Sequence, residues 1–306
     1  MSMHTKIHAL MQKTATIFLD KEEAIKLSTV CLLAGGHLLI EDVPGVGKTT
    51  LVQTLGQLLG LKTNRIQFTI DLLPGDILGG HIFNPKDQEF HFHPGPLFAE
   101  LILADELNRA SPRTQSALLQ AMEEGQVSLD GKTWNLPEPF FVIATQNPHQ
   151  NLGTFPLPES QLDRFMFSLE LNFASKKTEI QIFQAQNPRE RIHGLQPVLS
   201  AKDLIEIQSQ VDQVHVSEAV AEYVGLLLEN TRKKDFAGEA ISTRAGISMV
   251  KAAKAWAYLE KREHIRPEDI QAVLEPCLGH RLGGTHGLRQ GREWARILEK
   301  QTPVPR

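Results

Sequence analysis

Two short stretches carry residue types that could do chemistry together. The first, Glu41-Asp42-Val43-Pro44-Gly45-Val46-Gly47-Lys48-Thr49-Thr50, follows the apolar run His37-Leu38-Leu39-Ile40 and precedes a segment of helical period. In such a strand–loop–helix turn the glycines expose successive backbone N–H groups and the helix N-terminus adds partial positive charge, so the loop suits phosphate. Lys48 is placed to reach the β- and γ-phosphates of ATP or ADP, and the Thr49 hydroxyl to ligate Mg²⁺. Asp42, Val43, Pro44, Gly45, Val46, Gly47 and Thr50 complete the cradle. The full pattern has Gly where Asp42 stands. Like charges in contact would weaken binding, so the Asp42 side chain is expected to point away from the phosphates.

The second stretch, Leu101-Ile102-Leu103-Ala104-Asp105-Glu106, is an apolar strand ending in two acids and reads as a Walker B element. At the carboxyl end of a strand beside the loop, Asp105 can hold Mg²⁺ through its water shell, because this hard ion favours oxygen ligands and keeps its waters. Glu106 is then placed to polarise the attacking water as general base. An exposed acidic turn would look the same in isolation; a phosphate loop upstream gives the acids their use. A further apolar run, Phe140 to Thr145, ends at Gln146-Asn147-Pro148. The Asn147 amide there can bond the attacking water or the γ-phosphate, or simply make an Asn-Pro turn.

The elements that must position these groups follow from periodicity. Helical spacing is expected from about Asp20 to Ala34, closed by Gly35-Gly36, and again after the loop through Leu51, Val52, Leu55, Leu58 and Leu59 to Gly60. Leu38 to Ile40 read as a strand buried on both faces of a parallel sheet, and Ile66, Phe68 and Ile70 as a second strand. Ser111-Pro112 opens a helix that Gly125 closes. Asp130-Gly131, flanked by Gln126–Leu129 and Lys132–Asn135, predicts a type I′ hairpin setting Val127 opposite Trp134. Between Asp71 and Pro96, Pro-Gly and Gly-Gly punctuation predicts an inserted helix plus hairpin. His91 and His93 share one strand face there, which suits either metal ligands or a solvated hairpin. A short helix precedes the last strand, Met166 to Leu171. Beyond Phe173 only amphipathic helices are expected, at about Lys176–Gln186, Ala201–Gln208, Ser217–Thr231, Thr243–Glu260 and Pro267–Leu278, with a linker at Leu195–Ser200 and a frayed tail from Thr302 to Arg306.

Composition bounds the reading. A chain of 306 residues can bury a sizeable core and make two domains. No apolar run approaches the ~20 residues a membrane span needs, and the N-terminus lacks the pattern of a secretory signal, which points to the cytoplasm. Cys31 and Cys277 lack metal or redox spacing and read as buried thiols. The formal net charge of −4 gives nucleic acid no global attraction. Residues 1–172 carry 12 Lys and Arg against 19 Asp and Glu, whereas 173–306 carry 20 against 17, a division that suits complementary surfaces.

The order of motifs resembles the AAA+ ATPases: a P-loop, Leu103-Ala104-Asp105-Glu106-Leu107-Asn108-Arg109-Ala110, Asn147 at a strand end, Leu162-Asp163-Arg164-Phe165 and a helical C-terminal part. Within them, Phe68-Thr69-Ile70-Asp71-Leu72-Leu73-Pro74-Gly75-Asp76, Pro94-Gly95-Pro96-Leu97-Phe98 and Ala144-Thr145-Gln146-Asn147-Pro148 resemble the MoxR group, in which an acid at the Asp42 position is tolerated. The resemblance implies an α/β fold, an AAA+ parallel-sheet P-loop domain over residues 1–173 with a C-terminal all-α lid over 174–306. It implies that Asn147 is the sensor-1 residue and that Arg164 is an arginine finger reaching the γ-phosphate of a neighbouring subunit, where the residues alone allow an ordinary surface ion pair. It implies that Arg244, in Ser242-Thr243-Arg244-Ala245, contacts phosphates in cis as sensor 2; an ion-paired arginine at a helix start is the alternative. The insert at 71–96 and the hairpin at 125–137 would face the pore of a homo-oligomeric ring, a hexamer. The implied function is chaperone-like remodelling of a protein client bearing a von Willebrand factor A domain. Two other functions remain open to the residues, a nucleic-acid motor and a nucleotide-dependent assembly switch with little turnover.

Overall fold

The computed structural model describes residues 2–43, 45–147, 153–184 and 188–304. Two helices, α1 (Met3–Ile17) and α2 (Glu22–Leu33), lead into β1 (Leu38–Glu41), α3 (Lys48–Leu59) and β2 (Thr63–Gln67). An insertion follows, made of α4 (Pro74–Leu78), β3 (Gly79–Asn84) and β4 (Glu89–Pro94). Then come β5 (Leu101–Asp105), α5 (Pro112–Glu124), the hairpin β6 (Gln126–Leu129) and β7 (Lys132–Asn135), β8 (Phe141–Gln146), α6 (Glu159–Leu162) and β9 (Phe167–Leu169). The remainder is helical: α7 (Lys176–Gln184), α8 (Pro188–His193), α9 (Ala201–Asp212), α10 (Glu218–Thr231), α11 (Thr243–Leu259), α12 (Pro267–Gly283) and α13 (Leu288–Gln301).

The central sheet is parallel throughout, in the order β2-β5-β8-β1-β9. Strand periodicity sorts its side chains onto two faces. Leu38 and Ile40, Leu101 and Leu103, and Phe141 and Ile143 join a cluster with α1–α3 and the C-terminal helices, including Tyr223, Ala253 and Leu278. Leu39, Ile102, Ala104, Val142 and Ala144 face α5 through Leu118, Leu119 and Met122. Apolar contact therefore runs unbroken from the sheet into the helical part. The β9 edge is sealed by α12, whose His280 bonds Ser168 Oγ at 3.0 Å through Nδ1.

Several expectations are modified. The second strand stops at Gln67, so Phe68 is buried after it and Ile70 lies exposed. Thr302 is buried and bonded to Asn230, so the tail is held up to that residue; Pro305 and Arg306 lie outside the described residues. The helix expected to end at Leu278 runs on to Gly283. The glycines there are packing positions: a Cβ on Gly291 of α13 would sit 1.8 Å from the Gly279 carbonyl oxygen. Helices α1, α8 and α13 were not anticipated, although Ile7, Leu10 and Thr14, and Leu288, Gly291, Ala295 and Leu298, are buried at helical spacing. Both cysteines are buried and free. No described helix is long and apolar enough to cross a membrane.

The two hairpins form a single arm. Phe92 of β4 stacks on Trp134 of β7 with centroids 4.0 Å apart, and His81 Nδ1 lies 2.9 Å from Asp130 Oδ2. Beyond this contact Phe83 and Phe90 pair across the insertion, both exposed. His91 Nε2 lies 2.7 Å from Asp87 Oδ2, and no cluster of three metal-ligating side chains occurs among the described residues.

His37, at the entry to β1, is buried as the neutral ring: Nδ1 accepts from Val142 N and Nε2 donates to Met122 O. Burial lowers its pKa to about 4, against 6.5 when solvated. The unfolded chain therefore binds the proton more tightly, and stability is present above pH 6.5 and lost as pH falls towards 4. Between pH 7.5 and 5.5 this residue alone should cost about 1.3 kcal/mol of unfolding free energy. Urea melts at the two pH values should show the loss in the parent and a loss smaller by that amount in His37→Gln.

Candidate functional site

The phosphate loop joins β1 to α3. Gly45 and Gly47 take φ of 90° and 96°, left-handed values that glycine adopts without strain. A Cβ on Gly45 would meet nothing within 4 Å, leaving the loop open to a ligand, whereas one on Gly47 would press 2.9 Å from Phe18 Cε2. Phe18, buried between α1 and α2, thus braces the loop from behind. No side chain caps the N-terminus of α3, so its first amides are free for an anion. Pro44 lies outside the described residues.

Lys48 Nζ donates to the Asp42 carbonyl at 2.7 Å, folding the side chain back over the loop. Burial lowers its pKa, while the carboxylates of Asp42, Asp105 and Glu106 pull it the other way. The Asp42 side chain turns away from the loop's interior. Its Oδ2 accepts from Leu171 N at 2.6 Å and Asn172 N at 2.8 Å, and its Oδ1 from Val43 N at 2.8 Å. It thereby ties the loop to the chain leaving β9. Glu41 is also buried, bonded by Gln146 Nε2 at 2.6 Å, and burial raises its pKa.

The two acids stand beside this loop on the next strand but one. Asp105 Oδ1 accepts from Thr145 Oγ1 at 2.6 Å, and the same hydroxyl accepts from Glu106 N at 2.9 Å, so one β8 residue orients both. Asp105 Oδ2 pairs with Arg65 Nη2 at 2.7 Å. Glu106 adopts a left-handed φ of 57°, swinging its carboxylate out of the strand line. Its Oε2 accepts from Gln67 Nε2 at 3.0 Å and Arg109 Nη1 at 3.1 Å. Asn147 is buried at the end of β8, and its carbonyl accepts from Asn108 Nδ2 at 3.3 Å. Lys48, Thr49, Asp105, Glu106 and Asn147 thus all lie at the carboxyl ends of parallel strands or in the turns that follow. The uncapped helix, the open glycine loop, a lysine amid carboxylates and a hydroxyl near an oriented acid fit a magnesium nucleotide.

Two predicted residues lie elsewhere. Arg164 precedes β9, at its amino end, where Nη1 donates to Leu119 O at 2.8 Å and forms an ion pair with Glu123. Arg244, in the first turn of α11, pairs with the other oxygen of the same carboxylate at 2.6 Å. Glu123 adjoins Met122, whose carbonyl bonds His37 at the entry to β1, so this cluster is roughly a strand length, ~13 Å, from the loop at the exit. The ion-paired arginine at a helix start, the alternative reading of Arg244, is the arrangement in this chain: α5 returns to the opposite end of the sheet, and the lid docks there. Arg281 holds that docking, bonding Asp163 Oδ1 at 2.7 Å and the Phe165 carbonyl at 2.9 Å, while Ser242 Oγ reaches Asp163 Oδ2. Thr145, Arg65 and Gln67 were given no role in the sequence reading, because only strand register brings them to the acids; Arg109 is a local neighbour of Glu106, three residues on, and Glu123 meets its arginines only through helix docking.

Comparison with known proteins agrees with this architecture. A family model described as "ATPase family associated with various cellular activities (AAA)" matches residues 37–167, and an AAA lid domain model matches 230–301. Protein YeaC of Bacillus subtilis is 43% identical over 286 residues, spanning 92% of this chain and 89% of its own. Chaperone MoxR1 of Mycobacterium tuberculosis is 36% identical, spanning 92% and 76%, and protein MoxR of Paracoccus denitrificans 31%, spanning 87% and 85%. A crystal structure of a Cytophaga hutchinsonii protein superposes with a TM-score of 0.87 at 34% identity, covering 99% of this chain and 96% of that one.

If Asp42 serves as the tie between loop and β9, Asp42→Ala should strand three backbone N–H groups and cost about 3 kcal/mol of stability. Chemical denaturation measures the cost, and a fluorescent ATP analogue should bind more weakly. A variant as stable as the parent, or one binding ATP more tightly, would overturn the assignment.

Proposed function

The chain belongs to the AAA ATPase family, in its MoxR group, and from that premise we propose that it hydrolyses ATP at a site shared by two copies and spends the energy on remodelling a protein client. One observation carries the shared site: Arg164 and Arg244 stand at the opposite end of the sheet from Lys48 and Thr49 of the same chain. A phosphate loop without an added cation hydrolyses slowly, and an arginine supplied in trans is worth ~10³–10⁵ in rate. Each chain offers a loop at one end and an arginine pair at the other. Such a head-to-tail contact closes into a ring when the rotation permits, and the family suggests six copies.

In this reading the ATPase part spans residues 1–173, with the insertion at 71–96 and the hairpin at 125–137, and the lid spans 174–306. The loop amides and Lys48 hold the β- and γ-phosphates. Thr49 and Asp105 would hold Mg²⁺, which when bound neutralises charge across those phosphates. Glu106 takes the proton from the attacking water onto its carboxylate, and Asn147 orients that water. For this to happen the Glu106 carboxylate must leave Gln67 and Arg109, and Asp105 must exchange Arg65 for the metal's water shell. Arg164 and Arg244 of the neighbouring copy stabilise the charge on the transferring phosphoryl group. The joined hairpins, with Phe83 and Phe90 exposed, are the surface that meets the client, and the MoxR resemblance suggests a von Willebrand factor A domain protein. The cytoplasm is the expected setting.

Glu106→Gln should retain ATP affinity while losing at least about a hundredfold in turnover, read by phosphate release. Used as affinity bait with ATP, it should capture the client, whereas a passive switch would show little change in either assay. Arg164→Ala and Lys48→Ala should each be nearly inactive alone. Mixed, they should regain turnover, because a joint ring places an intact loop against an intact arginine end; absence of rescue would rule out the shared site.

A further inference from the structure

The arginine end of the chain contains a third group whose arrangement calls for a role. Glu123, in the last turn of α5, uses both carboxylate oxygens, one on Arg164 and one on Arg244. Arg164 belongs to the turn before β9 and Arg244 to the lid, so this carboxylate draws together cations from two parts of the fold that repel each other. Arg244 is more than half exposed and sits on the first turn of its helix, where the Glu123 carboxylate is the side chain that aims it. Arg164 is held better, by the Leu119 carbonyl, yet its Nε is buried without an acceptor. Two guanidinium groups converging on two oxygens of one anion is the geometry with which arginines grip a phosphate.

We propose that Glu123 is the positioning residue of the trans half of the site. It holds Arg164 and Arg244 as one fork, so that the pair meets the neighbouring copy's γ-phosphate as a preformed unit. It touches no substrate itself. The inference rests on the shared-site reading, since it assigns Glu123 no influence on the phosphate loop of its own chain. Placement at the far end of the sheet gives that separation: the α5 terminus bonds the entry of β1, and the loop leaves its exit. A fork assembled in advance spares the entropy of orienting two long side chains when the copies meet. Without the carboxylate, mutual repulsion would drive the lid arginine into solvent.

The experiment uses mixed rings. Lys48→Ala copies contribute only arginine ends, and Arg164→Ala copies only working loops, so turnover of the mixture reports the junction between them. Adding Glu123→Gln to the Lys48→Ala copy should lower kcat of the mixture by about tenfold or more, with KM for ATP moving less than about twofold. Glu123→Asp, which keeps the charge, should recover part of the loss. The same Glu123→Gln change in the Arg164→Ala copy, whose arginine end is already disabled, should cost far less. Equal loss from either copy would mean a general structural role, and no loss from the Lys48→Ala copy would mean that the arginines need no guide; each overturns the proposal. Failure of the starting mixture to turn over at all would instead refute the shared site, and with it the basis for the fork.

Discussion

Parallel strands all end on the same side, and this constraint governs where every charged group of the molecule can act. The five-stranded sheet sends β1, β5 and β8 towards one end, where their exits place the phosphate loop, the two acids and Asn147 side by side. Each connection must then carry the chain back before the next strand begins. Whatever stands at the close of a return helix, or just ahead of a strand, is delivered to the other end. Glu123 lies in the last turn of α5 and Arg164 precedes β9, so both are kept from the phosphate loop of their own chain by topology alone. That distribution is what the proposed shared site draws on, since the loop and the arginines of one copy stand at opposite ends of its sheet.

Given that separation, the two ends need bracing by different means. At the exit end the braces are hydrogen bonds to charged or hydroxyl groups: Asp42 gathers backbone donors from the far side of β9, and Thr145 serves Asp105 and Glu106 with one oxygen. Backbone donors satisfied by a carboxylate make short, strong bonds, which suits a loop that must stay open while carrying a lysine. At the entry end the brace is a buried ion pair. Arg281, almost fully enclosed, satisfies Asp163 together with the carbonyls of Phe165 and Met166. A buried arginine is tolerable only when its donors are met this fully. The same contact fixes the turn bearing Arg164 and docks the lid, so the position of Arg164 and that of the lid are a single structural variable.

How much of this was legible in the sequence depended on how local the cause is. Gly45 and Gly47 announced a phosphate-binding turn, Ser111-Pro112 and Gly125 bounded α5, and Asp130-Gly131 placed Val127 opposite Trp134, because each is set by residues a few positions apart. The parallel sheet followed from apolar runs lacking alternation. What could not be read was register between distant strands. Nothing in the sequence says that Gln67 stands beside Asp105, yet that pairing puts a donor on Glu106. The Ser242-Thr243-Arg244-Ala245 stretch stood out in the sequence while its setting did not, since the docking of the lid is decided by Arg281 and by packing across the sheet. Helix α12 runs past Leu278 for a different reason, through Gly279 to Gly283. Glycine ends helices when it is free to turn, and here a neighbouring helix needs its missing side chain.

The same logic of return connections links the arginine end to the arm. Helix α5 starts after the turn that follows the two acids, carries Glu123 in its last turn, and passes through Gly125 directly into β6 and β7. Trp134 on that hairpin stacks on Phe92, and Asp130 bonds His81, so the insertion that left the sheet before β5 is gripped by the element that follows α5. Thirteen helical residues are a stiff connection compared with the loops at either side. A shift in either end of α5 would therefore carry to the exposed Phe83 and Phe90 through aromatic stacking rather than through a flexible tether. Since that helix begins a few residues after the acids and its last turn bears the anion of the arginine pair, the arm sits where movements at either end of the sheet reach it.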